Sequence, residues 1–137
     1  MASRDLERLR ELVKRSQRRL EELGVVALLV FGSALGRTWR GSDLYVAVLL
    51  RPGAGKARLR DLYSMIQREV RSDVDLLTLN LAPPRLRMAA LRGELLYVGD
   101  RRAYLRFVQR TLDEWADLEP LRRTVGEYTR RWLELGG

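Results

Sequence analysis

Cysteine and histidine are both absent from the 137 residues of the chain. Without cysteine the protein can form no disulfide and has no thiolate nucleophile, and without histidine it lacks the commonest general base and metal ligand. Any chemistry must therefore use carboxylates, hydroxyl groups, backbone amides and cations. No apolar run approaches the roughly 20 residues of a membrane-spanning helix, and the charged N-terminus does not resemble a signal peptide. We therefore expect a cytoplasmic protein without a membrane anchor.

Acidic residues are outnumbered by basic ones, 18 against 26, which gives a formal net charge of +8. Nearly all of the positive charge is arginine. This balance favours an anionic partner: a nucleotide, a nucleic acid or an acidic protein. The 46% hydrophobic and 32% charged residues are typical of a globular protein, and the length suits one domain. We expect a single domain over residues 1–137, with a core over about 1–99 and a helical arm over about 100–137.

Apolar periodicity predicts an α/β chain in which helices and strands alternate. Helices are predicted over 3–23, with Gly24 as the C-terminal cap, over 59–70, over 84–91 and, kinked at Pro120, over 100–135. Strands are predicted over 25–31, 43–50, 73–80 and, at an edge, 94–98, with a short helical turn over 34–40. Arg85, Arg87 and Arg92 are interpreted as a solvated helix face, and Trp115 as a core residue of the arm.

A glycine-serine pair follows the first predicted strand. Gly32 permits close approach of the backbone to a ligand, and Ser33 begins a turn whose free amides suit a phosphate. Strand alternation places Asp43 and residue 45 on one face, and Asp75 on the next strand can converge with them. Carboxylates of this kind are the ligands that Mg²⁺ prefers. Asp73 is also acidic, and the register of the strand decides which of Asp75 and Asp73 lies beside residue 45, so that choice stays open.

The stretch "FGSALGRTWRGSDLYVAVLL", followed by "VDLLTLN", resembles the minimal nucleotidyltransferase (MNT) family of the DNA polymerase β-like superfamily. The family signature is Gly-Ser, then Asp-x-Asp, then an Asp on a later strand, and Gly32, Ser33, Asp43 and Asp75 match it. Further along, "LNLAPPRLRMAALRGELLYVGDRRAYLRF" resembles the MntA-like antitoxins, which pair with HEPN-domain toxins. The resemblance implies a nucleotidyltransferase fold, a small mixed sheet flanked by helices with a C-terminal helical arm.

The same resemblance implies a function and a set of site residues. The expected partner is a HEPN-domain toxin, and the expected reaction transfers AMP from ATP to a tyrosine of that toxin. Asp43 and Asp75 are the implied catalytic and metal-binding residues. Gly32 and Ser33, together with Ser42 directly before Asp43, are the implied nucleotide-binding residues. ATP and Mg²⁺ are the implied cofactors, and a homo- or hetero-oligomer is compatible with the pattern.

Tyr45 departs from the family pattern, because it replaces the second Asp of Asp-x-Asp. In the family that carboxylate bridges two metal ions, and a neutral phenol is a poor substitute. We therefore expect an antitoxin or regulatory partner of a HEPN toxin whose catalysis is impaired or lost, with weak binding of Mg²⁺ and ATP. Two alternatives stay open. One is an active adenylyltransferase with a further ligand from Asp73 or water, and the other is a basic nucleic-acid-binding module.

Overall fold

The computed structural model describes residues 2–31, 43–71 and 73–116. The helices are α1 (Ala2–Arg15), α2 (Gln17–Glu22), α3 (Gly55–Glu69), α4 (Pro84–Leu91) and α5, over residues 101–116. The strands are β1 (Val25–Phe31), β2 (Asp43–Leu50), β3 (Asp73–Thr78) and β4 (Glu94–Val98), and a 3₁₀ turn covers Leu79–Leu81. Helices and strands alternate along most of the chain, as the periodicity predicts.

The four described strands form one sheet in the order β3-β2-β1-β4. β1 is antiparallel to both β2 and β4, whereas β2 and β3 are parallel. A parallel pair needs a long crossover, and α3 supplies it between β2 and β3. The small mixed sheet with helices on both faces confirms the predicted fold class, and β4 lies at an edge as expected.

Hydrophobic alternation divides the core into two layers. Leu44, Val46 and Val48 of β2 face the larger cluster, which also contains the buried leucines of α1 and α2 and the buried residues of α3. Ala47 and Leu49, in the alternate positions, face a smaller cluster with Ala90 of α4 and Phe107 of α5. β1 is buried on both faces, as its continuous apolar run predicts.

Three predicted boundaries differ from the structure. The first predicted helix is divided at Ser16, whose backbone (φ −116°, ψ 20°) is not helical. α3 begins at Gly55, before the first apolar residue of its pattern. β3 ends at Thr78, where the chain turns. Beyond it the Asn80 side chain forms hydrogen bonds with the backbone of β2: it accepts from the Leu50 N–H (2.9 Å) and donates to the Leu50 carbonyl (2.7 Å). The predicted turn over 34–40 and the arm beyond residue 116 lie outside the described residues.

Gly24 links α2 to β1 in the conformation expected of a helix cap. Its φ of +77° is left-handed, which is easy only for glycine. Its N–H donates to the Glu21 carbonyl (3.0 Å), and its carbonyl accepts from the Arg51 N–H (2.8 Å). This turn therefore fixes the start of β1 beside the end of β2.

Asp5 is a buried carboxylate that connects α1 to the loop before β3. Its side chain is 1% exposed, and Oδ1 accepts from Arg8 Nη1 (3.1 Å) and from the Arg71 backbone N–H (3.1 Å). We expect Asp5→Ala to lower the free energy of unfolding by about 2–3 kcal/mol, because a charge-assisted, buried acceptor is lost. Urea denaturation measures the change. Glu11→Ala is the control, since its pair with Lys14 is exposed and contributes little; equal effects of the two substitutions would contradict the role of Asp5.

Among the residues that the structure describes, no helix combines the length and the apolar character that crossing a bilayer requires.

Candidate functional site

A cross-strand row of three side chains marks the end of β1. Tyr45 on β2 pairs with Phe31, the last residue of β1, and on its other side with Asp75 of β3. The Phe31 and Tyr45 ring centroids are 5.9 Å apart, with the ring planes tilted by 51°. Both rings are half-buried and Asp75 is exposed. The residue that departs from the Asp-x-Asp pattern therefore lies between an aromatic ring and the third aspartate of the pattern.

The other predicted carboxylates occupy the next row of the same ladder. Asp43 pairs with Asp73, as Tyr45 pairs with Asp75. Because alternate residues of a strand point to the same side, all four positions belong to one face of the sheet. That face is the one on which Ala47 and Leu49 contact α4 and α5, and it lies opposite α1 and α3. The parallel register thus brings both candidate aspartates of β3 to the face that carries position 45.

Several predicted site residues lie outside what the structure describes. Gly32, Ser33 and Ser42 fall between the described ends of β1 and β2, and only the backbone of Asp43 is described. Their assignment as nucleotide- and metal-binding residues stays a prediction. The described neighbours nevertheless define where those residues must connect, since Phe31 ends one strand directly before Gly32 and Asp43 begins the adjacent strand directly after Ser42.

The described side chains contain only part of the predicted metal-binding set, because the side chain of Asp43 is not among them. Among them, no group of three carboxylates is close enough together to hold a metal ion. The position that would contribute a bridging carboxylate carries the Tyr45 phenol, which packs against Phe31. Asp43, Asp73 and Asp75 are the acidic residues that the strands align on this face, and carboxylates are the ligands that a hard divalent ion prefers.

Two features were not evident from the sequence. The pairing of Phe31 with Tyr45 was missed, although both residues occupy the final and early positions of strands whose bounds were predicted. Arg87 was interpreted as part of a solvated helix face, and this is wrong: its side chain is only 14% exposed and its guanidinium lies over the Phe107 ring, 5.6 Å from the centroid. The repeated arginines of this segment give no sign in the sequence that Arg87 packs against α5.

Comparison with known proteins relates this geometry to a family. The family model described as "Polymerase beta, Nucleotidyltransferase" matches residues 13–102, about two thirds of the chain. The protein belongs to the polymerase β nucleotidyltransferase family. The match spans all four strands and includes every predicted site residue of the nucleotidyltransferase, from Gly32 to Asp75. A search of the curated proteins gives no match.

Solved structures share the fold of this nucleotidyltransferase. A tri-AMPylated Shewanella oneidensis HEPN toxin in complex with MNT antitoxin matches at 20% identity with a TM-score of 0.62, covering 95% of this chain and 99% of that chain. A toxin-antitoxin structure with AMP-PNP matches at 22% identity with a TM-score of 0.64, over 85% and 97%. A putative minimal nucleotidyltransferase matches at 28% identity with a TM-score of 0.55, over 68% and 95%. The resemblance to minimal nucleotidyltransferases is thereby confirmed.

Proposed function

We propose that this nucleotidyltransferase acts as the antitoxin, or regulatory partner, of a HEPN-domain toxin, and that its AMP-transfer chemistry is impaired or lost. The cross-strand row Phe31–Tyr45–Asp75 supports the proposal that AMP transfer is impaired. Tyr45 packs against Phe31 and is paired with Asp75, and it occupies the position at which the family pattern has the bridging carboxylate. Binding then outweighs catalysis, and Gly32, Ser33 and Ser42 retain at most a weak ATP and Mg²⁺ site with Asp43 and Asp75.

Structural similarity supports the partner. The structures with the same fold include an MNT antitoxin bound to a HEPN toxin, and this chain spans 99% of the matched chain in that complex. An antitoxin that blocks its toxin mainly by binding needs a surface that holds the complex together. An exposed apolar surface on an element outside the central sheet is suited to such a contact.

α5 offers such a surface. Leu105 is 57% exposed and Leu112 is 45% exposed, and their separation of about two helical turns brings both side chains to the same side of the helix. Val108, one turn from each, adds a half-buried side chain to this apolar stripe. The stripe is distinct from the buried side of α5, where Phe107 and Thr111 pack inward. We propose that the stripe Leu105–Val108–Leu112 contacts the toxin.

We expect Leu105→Ser/Leu112→Ser to weaken the complex with a HEPN-domain toxin by about 10- to 100-fold, because the serines bury less apolar surface at the interface than the leucines do. Titration calorimetry with the purified partner measures the dissociation constant. The variant should remain folded, since both side chains are already exposed, and circular dichroism checks this.

Arg102→Ser/Asp113→Ser is the matched control. Both side chains are exposed on another side of α5, both changes introduce serine, and the net charge is unchanged. We expect less than about a 2-fold change in affinity, as is usual for residues outside an interface hot spot. Equal weakening by both pairs would contradict the stripe as the contact, and no complex of the unaltered protein with any HEPN-domain toxin would contradict the antitoxin proposal itself.

A further inference from the structure

A concave site lies at the end of the sheet opposite to Tyr45. It is a cavity of about 200 Å³ between the end of β2 and α5. Leu49 contributes to its wall and lies four residues beyond Tyr45 on β2, which places it about 13 Å away along the strand. Neither Tyr45 nor Asp75, the described side chains of the predicted transferase site, contributes to its wall. The cavity is therefore separate from the predicted transferase site.

Its wall combines apolar and basic residues. Val26, Leu49 and Phe107 provide the apolar part, and Arg87, Arg106 and Arg110 provide the basic part. Arginine side chains around one small cavity create a positive potential, and the apolar residues beside them lower the local dielectric and so strengthen the attraction of an anion. The composition thus selects for a ligand with negative charge.

Two of these arginines have no acidic partner in the described chain. Arg106 and Arg110 stand one helical turn apart on α5 and form none of the ion pairs that the described residues contain. Like charges at this spacing destabilise a helix slightly. The nearby acids bind elsewhere, since Glu114 pairs with Arg87 (2.8 Å) and Asp113 accepts from Gln109 (3.0 Å). An anion between Arg106 and Arg110 would relieve this repulsion.

Two contacts hold the Arg87 side chain in place in the wall of the cavity. Glu114 fixes one end of the guanidinium and the Phe107 ring lies beneath it. Its Nε is buried and has no hydrogen-bond partner in the part of the chain that the structure describes. A guanidinium oriented before binding loses little entropy when it receives an oxyanion, and the arginine fork matches phosphate oxygens.

We propose that this cavity binds a phosphate monoester group. The charge of Arg87 is compensated by Glu114, so Arg106 and Arg110 leave two positive charges, which a dianionic phosphate balances better than a single carboxylate does. The volume is below the roughly 300 Å³ at which pockets for whole small molecules begin, so the cavity accommodates a group rather than a complete nucleotide. That group can belong to a free nucleotide or to the phosphorylated end of an RNA. The proposal depends on this cavity alone and not on the toxin partner.

Calorimetric titration of the full chain with inorganic phosphate tests the site. We expect saturable binding that Arg106→Gln/Arg110→Gln weakens by about 10-fold or more, because two charge-assisted contacts are lost. Arg101→Gln/Arg102→Gln is the control, with two exposed arginines of the same helix that do not line the cavity. Ala103→Leu fills the cavity without a change of charge and should weaken binding to a similar extent. An equal loss in the control, or unchanged binding in the Ala103→Leu protein, would overturn the proposal.

The source of the phosphate is distinguished by three further probes: AMP, a 5′-phosphorylated oligoribonucleotide and the same oligoribonucleotide with a 5′-hydroxyl. Sensitivity to Arg106→Gln/Arg110→Gln with AMP indicates a free nucleotide, and the same sensitivity only with the phosphorylated oligonucleotide indicates an RNA end. Identical binding of both oligonucleotides would contradict recognition of a monoester. Loss of the toxin complex in this variant, without any phosphate binding by the parent protein, would instead assign the cavity to a protein contact and overturn the proposal.

Discussion

Gly93→Ala is expected to lower the free energy of unfolding by about 3 kcal/mol and the melting temperature by about 10 °C. Gly93 directly precedes β4 and lies against the end of β1. A Cβ at this position would be 2.1 Å from the Val30 carbonyl oxygen and 2.9 Å from both Cα and Cβ of Phe31. The obstacle is mainly backbone, so it cannot be relieved by rotating a side chain. β4 must move away from β1, or the last residues of β1 must shift.

Gly53→Ala separates this clash from the general cost of replacing glycine. Gly53 has a φ of +80°, but a Cβ added there would meet no atom within 4 Å, so alanine should cost only about 1–2 kcal/mol of backbone strain. Thermal denaturation of both variants measures the difference. If Gly93→Ala were no more destabilising than Gly53→Ala, the close packing of Gly93 against β1 would be wrong.

Much of the fold follows from local sequence patterns. The bounds of β1, β2 and β4 were predicted correctly because each strand is a short apolar run limited by glycine, proline or charged residues. α4 was predicted correctly because Pro84 is favourable in the first turn of a helix. The break at Ser16 could not be predicted, since the apolar spacing continues across it from Val13 to Leu20 and both residues are buried in the same cluster.

The site was predicted less completely than the fold. Spacing along one strand showed that residues 43 and 45 share a face, but the partner of each on β3 depends on the register of a parallel pair formed across the α3 crossover. That register places Asp75 next to Tyr45 and Asp73 next to Asp43. The burial of Arg87 was equally inaccessible, because it results from α5 packing over α4 through Phe107 and Glu114. Contacts between distant segments leave no periodic signal.

Tyr45→Asp is expected to increase the affinity for Mg²⁺ by at least about 10-fold, because it places a third carboxylate beside Asp75. The ladder justifies this expectation, since position 45 is directly paired with Asp75 and is on the same face as Asp43. Without metal the variant should be less stable by about 2 kcal/mol, because the half-buried contact with Phe31 is lost and two carboxylates become cross-strand neighbours. Saturating Mg²⁺ should restore much of that loss, because it binds the folded state.

Tyr45→Asn is the matched control, since it has the size of the aspartate without its charge, and Tyr45→Phe retains the ring. Neither should gain a response to Mg²⁺ in calorimetry or in thermal denaturation. With labelled ATP, Mg²⁺ and a HEPN-domain partner, Tyr45→Asp should gain AMP transfer to the partner, whereas the parent and both controls should show little. Strong labelling by the parent protein would contradict the proposal of impaired catalysis. A folded Tyr45→Asp protein that does not respond to Mg²⁺ would contradict the convergence of Asp43, residue 45 and Asp75, because a carboxylate between two aspartates that share one metal must change the affinity for that metal.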